Sequence, residues 1–173
     1  MTIFIILSDS TFIGTKTRTM KKEILQIKSE KTNMIAVQSF IEGICDSYNI
    51  YNYFGTISMA VFEAVENAIV HGNKEDKEKL VNIEFSQCKG GLKFQITDTG
   101  EGFEYNQYKE LPEQSGSGEG LFLIQNLANK VVFSNKGSSV ELTFFVNGVD
   151  VAKAVSRKIA LEQYFSKQKV SVS

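Results

Sequence analysis

The sequence contains little of the chemistry on which many functional sites depend. Its 173 residues include two cysteines, Cys45 and Cys88, and one histidine, His71. These are too few soft ligands for a zinc or iron-sulfur site, and they offer no disulfide framework. A single histidine also excludes mechanisms that need two imidazoles, and a Ser-His-Asp hydrolase would have to be built around His71 alone. We therefore expect a protein of a reducing compartment, the cytoplasm.

An excess of charge and a long hydrophobic run are also missing. Lys and Arg total 19 and Asp and Glu total 20, which gives a net charge of -1. This balance provides no overall basic field for a nucleic-acid backbone. The apolar run at residues 3–7 is too short for a secretory signal, which needs about 7 to 15 apolar residues, or for a membrane span, which needs about 20. The sequence thus predicts neither direct nucleic-acid binding nor membrane insertion.

The composition that remains indicates one folded domain. Of the residues, 42% are hydrophobic and 11% are aromatic, which is enough apolar material for a sizeable core. We divide the chain into an N-terminal extension at residues 1–19, a domain at residues 20–147 and a C-terminal amphipathic helix or tail at residues 148–173. The extension is expected to be loosely attached or to add an edge strand.

The C-terminal segment has the spacing of an amphipathic helix. Val151, Val155 and Ile159 fall on one helical face. An apolar stripe at this spacing usually packs on a core. We therefore expect this face to contact the domain.

Hydrophobic periodicity predicts the element order β-α-α-β-β-loop-α-β-β. The second helix is expected to run over residues 56–70 and to stop at Gly72 in a left-handed cap. Residues 104–119 are mostly polar and contain the only proline, Pro112, which predicts a mobile loop. The strands are predicted at residues 25–27, 81–85, 92–96, 131–133 and 140–146, and the other helices at residues 34–44 and 120–129.

Three segments contain candidate functional residues, and the first is the end of the second helix. Glu63, Asn67 and His71 are spaced four residues apart, so they share one helical face. An amide oxygen such as that of Asn67 can coordinate magnesium, and a carboxylate such as Glu63 can accept a proton. A solvated polar stripe would have the same spacing.

The second segment, residues 98–103, follows a predicted strand directly. Its Asp98 is succeeded by Gly100 and Gly102, and glycines allow the backbone to approach a flat ligand closely. A carboxylate in such a pocket can accept a hydrogen bond from an exocyclic amine. An ordinary Asp-x-Gly turn has the same pattern.

The third segment is a glycine-rich loop at residues 115–120 that leads into a helix. Backbone N-H groups at such a helix start form an anion site suited to phosphates. The loop lacks the Gly-Lys-Ser/Thr of a P-loop, and no single βαβ unit surrounds it as in a dinucleotide fingerprint. Flexible linkers can have a similar composition.

Together, in this order and at these separations, the three segments resemble the GHKL ATPases, the family of gyrase, the heat-shock chaperone, histidine kinases and mismatch-repair ATPases. Residues 63–73 resemble the N box, residues 98–103 the first glycine box and residues 116–121 the second, and the resemblance covers residues 20–146. It implies an α+β fold, a two-layer α/β sandwich of the Bergerat type with a mixed, mostly antiparallel sheet and helices on one face. ATP would lie on the helical side, beneath the loop at residues 104–119.

Within this family, two motifs are similar to those of bacterial anti-sigma-factor serine kinases of the RsbW type. They are Glu-Ala-Val-x-Asn-Ala-Ile-x-His-Gly and Gly-x-Gly-Leu-Phe-Leu-Ile. The resemblance implies a protein that binds ATP and Mg²⁺, binds a sigma factor, and transfers the γ-phosphate to a serine of an anti-sigma-factor antagonist. It also suggests a homodimer. The alternative function is a regulatory ATP-binding module without phosphotransfer.

The resemblance implies a role for individual residues. Glu63 would be the general base, Asn67 the magnesium ligand and a nucleotide contact, and Asp98 the carboxylate that reads adenine. The other expected nucleotide contacts are Gly100 and Gly102 at the adenine, Gly116, Gly118, Gly120 and Leu121 in the second glycine box, and Lys109, the one basic residue of the loop.

Several features separate this sequence from other members of the family. The one histidine lies inside the N box, so we do not expect a sensor kinase with its own phospho-acceptor histidine. A gyrase-type or mismatch-repair enzyme would need a second domain, which we do not expect. Glu119 places a negative charge in the phosphate loop, which would weaken ATP binding unless the side chain points outward. Arg18 and Arg157 are the only arginines, so none from the domain body is expected at the triphosphate.

Overall fold

The computed structural model describes residues 3–6, 22–103, 118–146 and 151–170. Its elements follow the predicted order, with one additional strand before them and one additional helix after them. The described helices are α1 (Met34–Ser47), α2 (Phe54–Asn67), α3 (Glu119–Leu127) and α4 (Val151–Val170). The described strands are β1 (Ile3–Ile6), β2 (Lys22–Lys28), β3 (Leu80–Cys88), β4 (Gly91–Thr97), β5 (Lys130–Ser134) and β6 (Ser139–Phe145).

The strands form one sheet in the order β1-β2-β3-β4-β6-β5. Every pairing among the described strands is antiparallel, so the sheet is not mixed in this part of the chain. The reason is that β6 returns from β5 through a short turn and inserts between β4 and β5. Strands β4 and β5 run in the same direction, but β6 separates them. The two-layer α+β fold is confirmed.

The core lies between this sheet and the helices. Leu92, Phe94 and Ile96 of β4 are buried, whereas the polar residues that alternate with them are half-buried. This alternation directs one face of each strand to the core. Phe94 lies at the centre of an aromatic row, with its ring centroid 5.4 Å from that of Phe85 and 6.2 Å from that of Phe144.

Helices α1 and α2 supply the other half of the core. Their buried residues recur three and four positions apart, as the hydrophobic periodicity predicts. These residues include Val37, Ile41 and Ile44 in α1, and Ile57, Val61 and Val65 in α2. The candidate residues Glu63 and Asn67 lie outside the buried stripe of α2, at its C-terminal end.

The two ends of the chain add to both layers. Residues 3–6 pair with β2, so the N-terminal segment contributes an edge strand. At the other end, α4 packs beside α3, as expected, but the predicted contact face is wrong. Val155 and Ile159 are 52% and 49% exposed, whereas Ala160 is buried. The contact face instead carries Arg157, whose guanidinium donates hydrogen bonds at the C-terminal end of α3, together with Ala160, Leu161 and Tyr164.

No helix in the described part of the chain is both long enough and apolar enough to cross a bilayer.

Candidate functional site

A cavity of about 500 Å³ opens between α2, the turn after β4 and the N-terminal end of α3. The three segments singled out in the sequence therefore meet at one place. The predicted site residues that line the cavity are Glu63, Asn67, Asp98, Gly102, Gly118, Gly120 and Leu121. His71 also lines the cavity but is exposed. Gly100 does not line the cavity but packs against Gly72 and Asp98, which do, whereas Lys109 and Gly116 lie outside the described residues.

The end of α2 has a different geometry from the predicted one. The α-helix stops at Asn67 and continues as a single π-helical turn, Ala68–Gly72, in which the N-H of Asn73 donates to the carbonyl of Ala68 at 2.8 Å. Gly72 is not left-handed, so the predicted cap is wrong. The glycine is required for space, because a Cβ at Gly72 would lie 2.5 and 2.6 Å from the two carboxylate oxygens of Asp98. Single π turns are frequent at functional sites.

Asp98 lies at one end of the cavity, directly after β4. Its carboxylate oxygen accepts a hydrogen bond from the backbone N-H of Gly100 at 2.7 Å. Burial raises the pKa of Asp98, and this hydrogen bond, together with the positive charge of Lys79, offsets part of that rise. The carboxylate is thus fixed in position and has lost part of its hydration, so it is suited to accept a hydrogen bond from a ligand.

Asn73, which no sequence motif marked as a site residue, joins these elements through its side-chain hydrogen bonds. Asn73 is completely buried. Its side-chain Oδ1 accepts hydrogen bonds from the N-H and the hydroxyl of Thr99, each at 2.9 Å. Its Nδ2 donates to the Ser29 hydroxyl at 2.8 Å and to the Leu80 carbonyl at 3.0 Å. Asn73 directly follows His71 and Gly72 in the sequence, and this position is the one sequence feature that could have indicated its role.

The turn after Asp98 packs closely on the loop between β5 and β6. Gly102 has a φ of 83°, and a Cβ there would overlap the carbonyl of Lys136. The N-H of Phe103 donates to the same carbonyl at 2.8 Å. Both a left-handed backbone and close contact therefore require glycine at position 102. The contribution of Lys136 was not evident from the sequence because its loop is distant along the chain.

Glu63 and Asn67 lie at the opposite end of the cavity, beside the start of α3. A Cβ at Gly120 would contact Oε2 of Glu63 and would lie 3.5 Å from Nδ2 of Asn67. Burial raises the pKa of Glu63, and the negative charges of Glu66 and Glu119 raise it further. Nδ2 of Asn67 is buried and has no hydrogen-bond partner among the described residues. This amide therefore has hydrogen-bonding capacity available to a ligand.

The N-terminal end of α3 faces the same part of the cavity. Gly118 precedes the helix with a φ of 85°, which turns the chain into its first residue. The first N-H groups of a helix have no partner within it, and the helix dipole adds partial positive charge. This end of the cavity therefore suits an anionic group. Glu119, in the first turn, is 9% exposed and forms an ion pair with Lys167 of α4 at 3.4 Å.

Comparison with known proteins agrees with this geometry. Residues 27–144 match the model of the histidine kinase-like ATPase domain. The serine-protein kinase RsbW of Bacillus subtilis is 30% identical over 109 residues, which cover 57% of this chain and 68% of that protein. The RsbW of Bacillus velezensis is 25% identical over 136 residues, covering 72% and 85% of the two chains. The anti-sigma F factor of Clostridium perfringens is 33% identical over 93 residues, covering 50% and 66%. Because the family model spans more than half of the chain, the chain belongs to the histidine kinase-like (GHKL) ATPase domain family.

Proposed function

We propose that this protein is an ATP-dependent serine kinase that binds a sigma factor and phosphorylates an anti-sigma-factor antagonist. The main observation is the division of one cavity into two chemically different ends. A partly desolvated carboxylate and close-packed glycines form one end, whereas a helix N-terminus, an amide and a second carboxylate form the other. A nucleotide has matching ends, a base with an exocyclic amine and an anionic triphosphate. The names of two relatives, a serine-protein kinase and an anti-sigma F factor, support the kinase activity and a sigma factor as a partner.

In this proposal Asp98 accepts a hydrogen bond from the adenine amino group, and the glycines around it leave room for the ring. A side chain at Gly72 or Gly100 would occupy the space beside the Asp98 carboxylate. Gly102 holds the turn that closes this end. At the other end Gly118, Gly120 and Leu121 present the start of α3 to the phosphates. Gly116 and Lys109 are proposed to complete the phosphate contacts.

The residues present also fit a magnesium ion bound together with the phosphates. The described residues contain no group of three or more histidine, cysteine, aspartate and glutamate side chains that could hold a metal. Magnesium in nucleotide sites is commonly held by one or two protein ligands, the phosphates and water. Asn67, which lines the cavity beside the start of α3, is the proposed protein ligand through Oδ1, and its Nδ2, unpaired among the described residues, would donate to a phosphate oxygen. When bound, the ion would neutralise charge on the phosphates.

Glu63 is proposed to act as the general base. It would accept the proton of the partner's serine hydroxyl as the serine oxygen bonds to the γ-phosphorus and the bond to the bridging oxygen of ADP breaks. A carboxylate with a raised pKa is a stronger base than an ordinary one. Burial and the neighbouring carboxylates raise the pKa of Glu63 in this direction. Positioning and charge neutralisation supply the rest of the catalysis in phosphoryl transfer.

The partner proteins can be sought by affinity capture. Tagged protein is incubated with lysate of its source cells in Mg-ATP or in Mg-ADP, and bound proteins are identified by mass spectrometry. We expect to recover a sigma factor, and a small protein that carries phosphoserine only when ATP is present. If nucleotide binds but neither partner is recovered, the kinase proposal is contradicted and the regulatory module without phosphotransfer is favoured.

Substitution of Glu63 tests the base directly. We expect Glu63→Gln to abolish phosphoryl transfer to the captured antagonist and to leave ATP binding nearly unchanged, because the amide keeps the shape but cannot accept the proton. Glu84→Gln is the matched control, since Glu84 lies on β3, is paired with Lys22 at 2.8 Å and is not one of the residues that line the cavity. Normal phosphorylation by Glu63→Gln would show that the base has been wrongly assigned.

A further inference from the structure

Helix α4 lies outside the segment that matches the family model, yet it is attached to both ends of α3. At the C-terminal end of α3, Nε of Arg157 donates to the carbonyl of Leu127 at 2.7 Å, and Nη2 donates to Oδ1 of Asn129 at 2.9 Å. At the N-terminal end, Nζ of Lys167 lies 3.4 Å from Oε1 of Glu119. Helix α4 therefore runs along the whole length of α3 and reaches the phosphate end of the cavity.

The contact at the N-terminal end is largely withdrawn from solvent. The side chains of Lys167 and Glu119 are 19% and 11% exposed. Tyr164, one turn before Lys167 on α4, lines the cavity itself. Because an ion pair with little solvent around it is screened weakly, its charges act strongly on the groups beside it.

The position of Glu119 makes this pair important for an anionic ligand. Its carboxylate lies in the first turn of α3, beside the proposed phosphate contacts Gly118 and Gly120. The charge of Glu119 already raises the pKa of Glu63 across the cavity. Without a cation nearby, the same charge would repel a triphosphate at this helix end.

We propose that Lys167 is a positioning residue of the nucleotide site, which holds Glu119 in an ion pair and thereby permits triphosphate binding at the start of α3. Lys167 acts through Glu119 and not by contacting the nucleotide. This inference rests on the proposed nucleotide site and adds to it a residue of α4. It accounts for a negative charge within a loop that binds phosphates.

The test is a set of dissociation constants for ATP and adenosine, measured by titration calorimetry with Mg²⁺ present. We expect Lys167→Met to weaken ATP binding by about fivefold, the effect of one partly buried charge, and adenosine binding by less than about twofold. We expect Glu119→Gln in the Lys167→Met background to restore ATP binding, because no uncompensated charge remains. Lys158→Met on the same helix is the matched control, since Lys158 is exposed and pairs only loosely with Glu162, at 3.9 Å.

The outcomes separate this inference from the function on which it rests. Equal losses for ATP and adenosine would show that α4 only supports the fold, and would overturn the inference. A loss that Glu119→Gln does not restore would mean that Lys167 acts on the phosphates by itself, which also contradicts it. If the unmodified protein bound ATP but the variants did not differ from it, the inference alone would fail. If the unmodified protein bound neither ligand, the proposed function would fail as well.

Discussion

At the residue scale, the surroundings of Asp98 favour the neutral form of its carboxyl group over the ionised form. Burial raises its pKa, so the folded protein holds the Asp98 proton more tightly than the unfolded chain does. The ionised carboxylate therefore destabilises the folded state at neutral pH. The protonated form of Asp98, in contrast, adds to the free energy of unfolding. This contribution is fully present below the ordinary pKa of aspartate and is lost as the pH rises through the raised pKa. Proteins often retain a destabilising group of this kind where function requires it.

We accordingly expect Asp98→Asn to weaken ATP binding and to increase stability. The amide cannot replace the carboxylate as acceptor for the adenine amine in the same orientation, so the ATP dissociation constant should rise at least about tenfold, or about 1.4 kcal/mol. The amide also stays neutral, so the gain in melting temperature over the unmodified protein should be larger at about pH 7 than at about pH 4. Calorimetry and thermal melts measure the two effects. Unchanged ATP affinity would contradict the assignment of Asp98 to the adenine.

At the scale of elements, the site depends on how α2 ends. The π turn after Asn67 brings Gly72 against the carboxylate of Asp98, and Asn73 then joins the helix to the turn after β4. The side chain of Asn73 pairs with two donors, the N-H and the hydroxyl of Thr99, and with two acceptors, the Ser29 hydroxyl and the Leu80 carbonyl. Movement at Asn73 would therefore change both the stability of the fold and the shape of the site.

We expect Asn73→Ala to reduce the free energy of unfolding by about 2 to 4 kcal/mol, because it removes the four hydrogen bonds of a completely buried side chain and leaves a gap in its place. ATP binding should weaken as well, since Thr99 precedes Gly100. Urea denaturation measures the stability. Asn33→Ala is the control, because the side chain of Asn33 makes one exposed hydrogen bond, to the carbonyl of Lys28 at 3.0 Å. Similar losses for the two variants would contradict the role given to Asn73.

At the scale of the whole molecule, the helical layer and the sheet share one core, and the cavity lies at its edge. Cys45 of α1 is fully buried in that core, and burial raises the pKa of its thiol to about 11. Cys88, at the end of β3, is only partly buried. The two free thiols therefore report on different parts of the molecule.

We expect a thiol reagent at about pH 8 to modify Cys88 before Cys45, because the Cys45 thiol stays protonated and covered until the core opens. Mass spectrometry of the intact protein gives the two rates, with Cys88→Ser to isolate the slower one. Addition of urea below the unfolding midpoint should accelerate labelling of Cys45 more than that of Cys88. Equal rates at both positions would show that α1 opens independently of the core.

The order of the elements and the three site segments could be predicted from the sequence because both are encoded locally. Periodicities of two and about three and a half residues distinguish strands from helices over a few residues. The family's boxes are runs of adjacent residues, which is why Glu63, Asn67, Asp98 and the glycines could be named before any fold was known. The roles assigned to these residues remain predictions.

Tertiary structure alone decided the features that depend on contacts between distant segments. Glycine is required at position 72 because the carboxylate of Asp98 lies against it. No local sequence pattern predicts this contact. The packing face of α4 includes Arg157, which donates hydrogen bonds to the end of α3, whereas Val155 and Ile159 of the predicted face are exposed. The charge of Glu119 is balanced by Lys167 from α4. Such contacts form only when the chain folds back on itself, because the partners lie far apart in sequence.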